Sequence, residues 1–203
     1  MIQYYQGLDI VELLPKLHRC CGEFLKGFPY WYAPFEDQKI NPSDTMYVND
    51  YRSLVIIHRC DNSGEINLVA AGLPLDSRYL LRDYFSADLI DQFTKAGYYP
   101  DNIWYMGYFL PNDKVQQKDL ILDMYQQFKT HALSLNFQQL CYVDIVNPLK
   151  HDHTDCSPEP WGEVIPGFVD SSVRIKASWP TYQREGQICE VEHELAFYLK
   201  SWN

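Results

Sequence analysis

Apolar positions change their period several times along this 203-residue chain, and each change marks an element. Near the start, Ile10, Leu13, Leu14, Leu17, Cys21, Phe24 and Leu25 recur every three or four residues, the spacing of one helix face. Asp9 and Glu12 stand at capping-box spacing before them. Pro15 must either kink this helix or begin its second part. The stretch FPYWYAPFEDQKINPSD (28–44) holds three prolines and reads as a loop. Two apolar, β-branched runs follow, Ser53 to Cys60 and Ile66 to Leu75, separated by the turn signal DNSGE, which predicts a hairpin. Ser86 then caps a short helix carrying Leu89, Ile90, Phe93 and Ala96, closed by Gly97.

The second half repeats the alternation. Residues 103–110 predict a strand. Leu120, Ile121, Met124, Tyr125, Phe128, Ala132 and Leu135 predict a helix, which Asn136 can end in the left-handed conformation. LCYVDIV (140–146) predicts another strand, so strand, helix and strand form a right-handed crossover within one sheet. Residues 147–168 are rich in proline and polar side chains and read as a loop. Val173 to Ser178 and Ile188 to Lys200 predict a final strand pair. In its second strand Val191, His193, Leu195, Phe197 and Leu199 share one face, while Glu190, Glu192, Glu194 and Lys200 share the other. No repeat or linker divides the chain, so residues 1–203 are expected to form a single domain.

Composition narrows the function classes. A formal net charge of −10 disfavours nucleic acid and anionic membrane as partners, because both are bound through basic surface. It suits a cationic substrate such as an amine. The six cysteines include no C-x-x-C pair and match no zinc module. Cys60, Cys141 and Cys189 adjoin apolar runs, where free cysteine is expected to be a small buried hydrophobe. Gln3, Asp9 and Glu12 interrupt any apolar leader, and no run reaches transmembrane length, so a reducing, cytoplasmic setting is expected.

Two stretches carry candidate chemistry. NDKVQQKDLI (112–121) lies between a strand and a helix, where the free N–H groups of a helix start can hold phosphate. It contains no glycine, and an ordinary helix start is the competing reading. KHDHTDC (150–156) gathers His151, His153, Asp152, Asp155 and Cys156, but nominates no distant ligand for a metal, and no metal is expected. His193, among apolar neighbours, is expected to be a satisfied core histidine, and the Glu190, Glu192, Glu194 row a solvated face. Tyr30, Trp31, Trp161 and Trp179 are candidate pocket aromatics. No G-x-S-x-G elbow points to a covalent hydrolase.

The element order, together with FPYWY, AAGLPL, NIWYMGYFLP, LNFQQLCYVDIVNP, SWPTYQREG and EHELAFYLKSW, resembles the Gcn5-related N-acetyltransferase (GNAT) family along nearly the whole chain. The resemblance implies an α+β domain whose central twisted mixed sheet is flanked by helices. It implies acyl-CoA-dependent N-acyltransfer, with acetyl-CoA or another acyl-CoA as donor. The acceptor would be a small-molecule or peptide amine, and a homodimer is a candidate assembly.

The family's pyrophosphate pattern, Q/R-x-x-G-x-G/A, falls on residues 116–121 when counted back from Asn136-Phe137. Gln116 then takes the Q/R position, Gln117 and Lys118 the free ones, Asp119 the first glycine position and Ile121 the last small one, with Leu120 between. Asp119 would add a carboxylate where phosphate sits, or act as the helix N-cap, and Ile121 would add bulk. Lys114 and Lys118 supply compensating charge. The backbone of Phe109 and Leu110 would hold pantetheine and thioester. Where the resembling subgroup tends to carry Gly-Glu, this chain has Gly107-Tyr108. The resemblance therefore implies Tyr108 as acid, with Asp144 and His153 as acceptor-side proton-handling groups. A catalytically degenerate GNAT-like domain, acting as a binding or regulatory protein, is the alternative.

Overall fold

The computed structural model describes residues 1–24, 42–61, 64–86, 88–111, 118–146, 165–182 and 187–202. Seven strands form one mixed sheet: β1 (Ile2–Tyr5), β2 (Leu54–Arg59), β3 (Ile66–Pro74), β4 (Ile103–Pro111), β5 (Gln139–Val146), β6 (Val169–Tyr182) and β7 (Ile188–Ser201). Their order across the sheet is β1-β2-β3-β4-β5-β7-β6. Every pairing is antiparallel except β4 with β5, the pair that the predicted crossover joins.

Among the described residues, five α-helices flank the sheet: α1 (Leu14–Phe24), α2 (Pro42–Asn49), α3 (Arg78–Asp83), α4 (Asp88–Lys95) and α5 (Lys118–Ser134). A 3-10 turn over Gly7–Leu13 precedes α1, and Pro15 falls at the start of α1. Proline is tolerated there because that N–H would lack a helical acceptor anyway. Asp9 does not cap this region. It lies inside the 3-10 turn, whose N-cap is Gln6, and its own N–H donates to the Gln6 carbonyl. The predicted loop also ends sooner than expected, since α2 already begins at Pro42; residues 28–41 lie outside those described.

Two helix ends follow the sequence closely. Asn136 takes φ 67° after α5; its N–H donates to Leu133 and that of Phe137 to Ala132, the paired bonds of a Schellman close. Gly97 does the same after α4 with φ 87°.

The sheet separates two cores. Ile10, Leu17, Tyr47, Leu80, Leu89 and Phe93 from the N-terminal helices cover one face, over Val55, Val69, Ala71, Tyr105 and Phe197. On the other face α5 packs Ile121, Met124, Tyr125, Phe128 and Ala132 against Ile56, Ala70, Trp104, Met106 and Leu140. The strand alternation predicted for β7 holds: His193, Leu195, Phe197 and Leu199 are buried, while Glu190, Glu192 and Glu194 are exposed. Lys176 pairs with Glu192 at 2.8 Å on that wet face.

Of the cysteines, Cys141 is fully buried, but Cys189 is exposed. The difference follows from register. β5 covers β7 only from Glu194 onward, so the first part of β7 pairs with β6 alone and Cys189 has less structure beside it.

Close packing fixes one glycine through space. A Cβ on Gly72 would stand 2.3 Å from Trp104 Nε1, 2.9 Å from Phe128 and 2.9 Å from the Tyr105 carbonyl oxygen. Two of those neighbours are large rings in a filled core, so relief requires displacing α5. Gly72→Ala is expected to destabilise the fold by about 1–3 kcal/mol or more, read as a lower denaturant midpoint. An unchanged midpoint would show that this layer is loosely packed.

Candidate functional site

The β4–β5 ladder is short. Ile103, Trp104 and Tyr105 pair with Gln139, Leu140 and Cys141, and there the register ends. Beyond it β4 continues along β3 as far as Pro111, and β5 along β7 as far as Val146. Adjacent parallel strands thus part in mid-sheet. Their facing edges present N–H and C=O groups that no ladder between the two strands satisfies, and such groups seek a partner.

A bulge marks the same place. Ala71 opposes Tyr108 and Gly72 opposes Met106, so Gly107 is an extra residue in β4. Bulges bend and twist a strand. Gly107 has no left-handed φ; what demands glycine is room, because a Cβ there would lie 2.0 Å from the Tyr47 hydroxyl.

The start of α5 lies at the same end of the sheet, since α5 runs back from the C-terminal end of β4 towards the start of β5. Lys118, Asp119 and Leu120 occupy its first turn, where backbone N–H groups have no intrahelical acceptor. Lys118 and Asp119 are exposed and Leu120 is half-buried. Asp119 stands within the helix, at its second residue, rather than at the cap. Ile121 is 8 % exposed and packs into the α5 core. Gln116 and Gln117 lie outside the described residues.

The nominated proton-handling residues are described to different extents. For Tyr108, Phe109 and Leu110 the backbone is described: they pair with Ala71, Ala70 and Val69 on the rim of the parting strands. Ala71 belongs to the core under α1–α4. Asp144 pairs with Ala196 and follows Tyr142 by two residues, which puts it on the α5 side with Tyr142. His153, with the rest of KHDHTDC, lies outside the described residues. Among the described residues no three His, Cys, Asp or Glu side chains come together as a metal site.

Asp144 is half-buried. Burial pushes its carboxyl above the ordinary carboxylate range, while an N–H from Ile145 at 2.8 Å partly offsets that rise. Beside it, Tyr142 stacks on Tyr198 with ring centres 5.0 Å apart, and its hydroxyl is pushed up by burial and by the Asp144 charge.

His193 behaves as the sequence suggests for a core histidine. It is 5 % exposed, stacks on Trp179 at 3.9 Å and shares a 3.2 Å hydrogen bond with the Thr181 hydroxyl. Burial lowers its pKa.

Sequence reading missed the groups that shape the parting. Tyr47, on α2, is fully buried beneath β4. Its carbonyl accepts from the Ser53 hydroxyl, and Arg52 locks the end of α2 by bonding Asp50 at 3.0 Å and Asp76 at 3.1 Å. Burial opposes ionisation of Asp50, but hydrogen bonds from Arg52 and Ser77, together with the Arg52 charge, outweigh it and hold the carboxyl below its usual range. The available signal was an isolated glycine in each of two strand-like runs, AAGLP and WYMGYF, which marks a bulge or close backbone approach.

No family model matches the sequence, and no curated protein is significantly similar to it. Solved structures are similar in fold. A ribosomal-protein-alanine N-acetyltransferase from Brucella melitensis is 11 % identical with a TM-score of 0.56, covering 99 % of this chain and 99 % of its own. The AHL synthase LasI is 14 % identical with a TM-score of 0.54, over 98 % of this chain and 89 % of its own. BjaI, a CoA-dependent acyl-homoserine lactone synthase whose structure contains SAM and isopentyl-CoA, is 11 % identical with a TM-score of 0.52, over 97 % and 82 %. The mixed seven-stranded sheet with its flanking helices is a GNAT-like fold. Among the described residues no helix is long and apolar enough to cross a membrane.

The buried carboxyl gives a pH prediction. A carboxyl whose folded pKa is raised binds its proton more tightly in the folded state. It therefore costs stability as pH rises from its unfolded value of about 3.9 through the folded one. Asp144→Asn keeps an oxygen for the Ile145 N–H and removes that cost. Melting temperature at pH 7 should rise, by about 2–4 °C per kcal/mol regained, with the gain fading below about pH 4. A fall at pH 7 would show that the ionised carboxylate is stabilised in the fold.

Proposed function

We propose that this protein is an acyl-CoA-dependent N-acyltransferase, with acetyl-CoA the expected donor and a primary amine, small-molecule or peptide, the acceptor. The observation that carries the reading is the parting of β4 from β5 beside the Gly107 bulge, with the α5 N-terminus at the same end. A slot of this kind offers backbone donors to a pantetheine amide and a thioester, and helix N–H groups to a pyrophosphate. Of the structures of like fold, one is named an N-acetyltransferase and another a CoA-dependent acyl-homoserine lactone synthase.

In this reading the backbone of Phe109 and Leu110 receives the thioester arm. Gln116, Gln117 and the first-turn amides of Lys118, Asp119 and Leu120, with Ile121 anchoring the turn to the core, receive the pyrophosphate. The amine nitrogen bonds to the acyl carbon as the carbon–sulfur bond breaks. The ammonium so formed gives up a proton, and the departing thiolate takes one up. Tyr108 is the proposed acid. Asp144 and His153 are proposed on the acceptor side; the raised carboxyl of Asp144 makes it a stronger base than an ordinary carboxylate.

Asp119 favours a second reading, a GNAT-like domain that binds without transferring. Its carboxylate stands exposed in the first helical turn, where it stabilises the helix and repels phosphate. Calorimetry with acetyl-CoA and free CoA separates these readings. Heat and a raised melting temperature, followed by thiol release on a panel of amines, are expected; binding with no thiol release on any amine favours the second reading. Asp119→Asn should tighten CoA binding about two- to fivefold, the size of one helix-terminus charge interaction. No heat at millimolar ligand, in the native protein and in this variant, would refute both the donor assignment and the role given to the turn.

A further inference from the structure

The bulge in β4 has an unusual neighbour. The Tyr47 hydroxyl occupies the place that a side chain on Gly107 would take, 2.0 Å from an ideal Cβ. The next atoms around that point are Tyr105 Cε1 at 3.1 Å and Tyr47 Cζ at 3.3 Å. A polar group thus sits directly beneath the backbone of the residue at which β4 changes register. It comes from α2, far from β4 in sequence, and from the face of the sheet opposite α5.

Tyr47 is also held more firmly than its short helix alone would allow. It is fully buried, within the same core as Ile10, Leu13, Leu17 and Val55. Three residues on, Asp50 is 5 % exposed and gripped by Arg52, which also bonds Asp76 at the start of α3. The Arg52 carbonyl in turn meets His131 Nε2 on α5 at 3.0 Å. One chain of contacts therefore ties the end of α2, the β3–α3 corner and α5 together.

We infer that Tyr47 is a positioning residue of the acyl-transfer centre: its hydroxyl sets the shape of the Gly107 bulge, and so the aim of the β4 backbone at the acyl carbonyl. This rests on the acyltransferase reading above. It accounts for both the glycine and the tyrosine. Glycine is needed because the hydroxyl takes the room of a Cβ, and the hydroxyl is needed because a bulge with nothing beneath it is free to change its twist. A small displacement of a donor at a reacting carbonyl is costly, since orientation supplies much of the rate.

The test compares acetyl-CoA with free CoA by calorimetry in the native protein, Tyr47→Phe, Gly107→Ala and the double variant. The two ligands differ only in the acyl group, so their affinity ratio reports on the carbonyl contact alone and needs no acceptor. Tyr47→Phe keeps the ring and should lower that ratio about threefold to tenfold, the range of one hydrogen bond, with free CoA affinity unchanged within about twofold. Gly107→Ala pushes on the hydroxyl from the other side and should lower it likewise, and by less in the Tyr47→Phe background, where the clash is relieved. If Tyr47→Phe fails to fold, Gly107→Ala alone still tests the role, because it displaces the hydroxyl without removing it. Equal loss for both ligands, or an unchanged ratio, overturns the positioning role and leaves the acyltransferase reading standing. A native protein that binds neither ligand overturns both.

Discussion

Two parallel strands that stop hydrogen bonding after three residues are the constraint on which the rest of this molecule depends. β4 and β5 begin as neighbours at Ile103 and Gln139 and part after Tyr105 and Cys141. A sheet ordinarily avoids this, because each unpaired backbone group costs free energy once it leaves water. Here each strand remains paired along its outer edge, β4 to β3 and β5 to β7, so the sheet survives while its middle opens. The extra residue Gly107 bends β4, and the packing of Tyr47 under that residue excludes any larger one. Fold stability and the opening between the two strands thus rest on the same few contacts.

The two faces have different tasks. On one, α5 is packed by Ile121, Met124, Tyr125 and Phe128 so that its first turn ends beside the open strands. On the other, the N-terminal helices fix Tyr47, and the buried Asp50 carboxylate at the end of its helix is paired with the half-buried Arg52. Breaking such a pair is costly because it strands a charge away from water, so the pair acts as a latch on α2.

Much of this architecture was legible in the sequence, for identifiable reasons. The β2–β3 hairpin, α5 and β5 carry strong local signals: β-branched runs around DNSGE, a clean helical period, and Asn136 at a left-handed close. The four-residue β1 and the six-residue α3 carry almost none, and exist because the rest of the sheet offers them an edge and a surface. Ile121 illustrates a subtler limit. Its position in the family pattern suggested bulk in the phosphate turn, but the helical period already assigned it to the buried stripe, and the period was the better guide. The parting itself left no local mark. It depends on the register of β4 against β3 and on Tyr47 arriving from α2, and only the glycines in AAGLP and WYMGYF hinted at close approach.

Amide hydrogen exchange, read residue by residue with and without acetyl-CoA, tests the slot most directly. The account predicts that ligand slows exchange at two places together: the β4 amides around Phe109 and Leu110, and the first-turn amides of Lys118, Asp119 and Leu120. Protection at neither place, or ligand-induced protection confined to a surface away from β4 and α5, would contradict it.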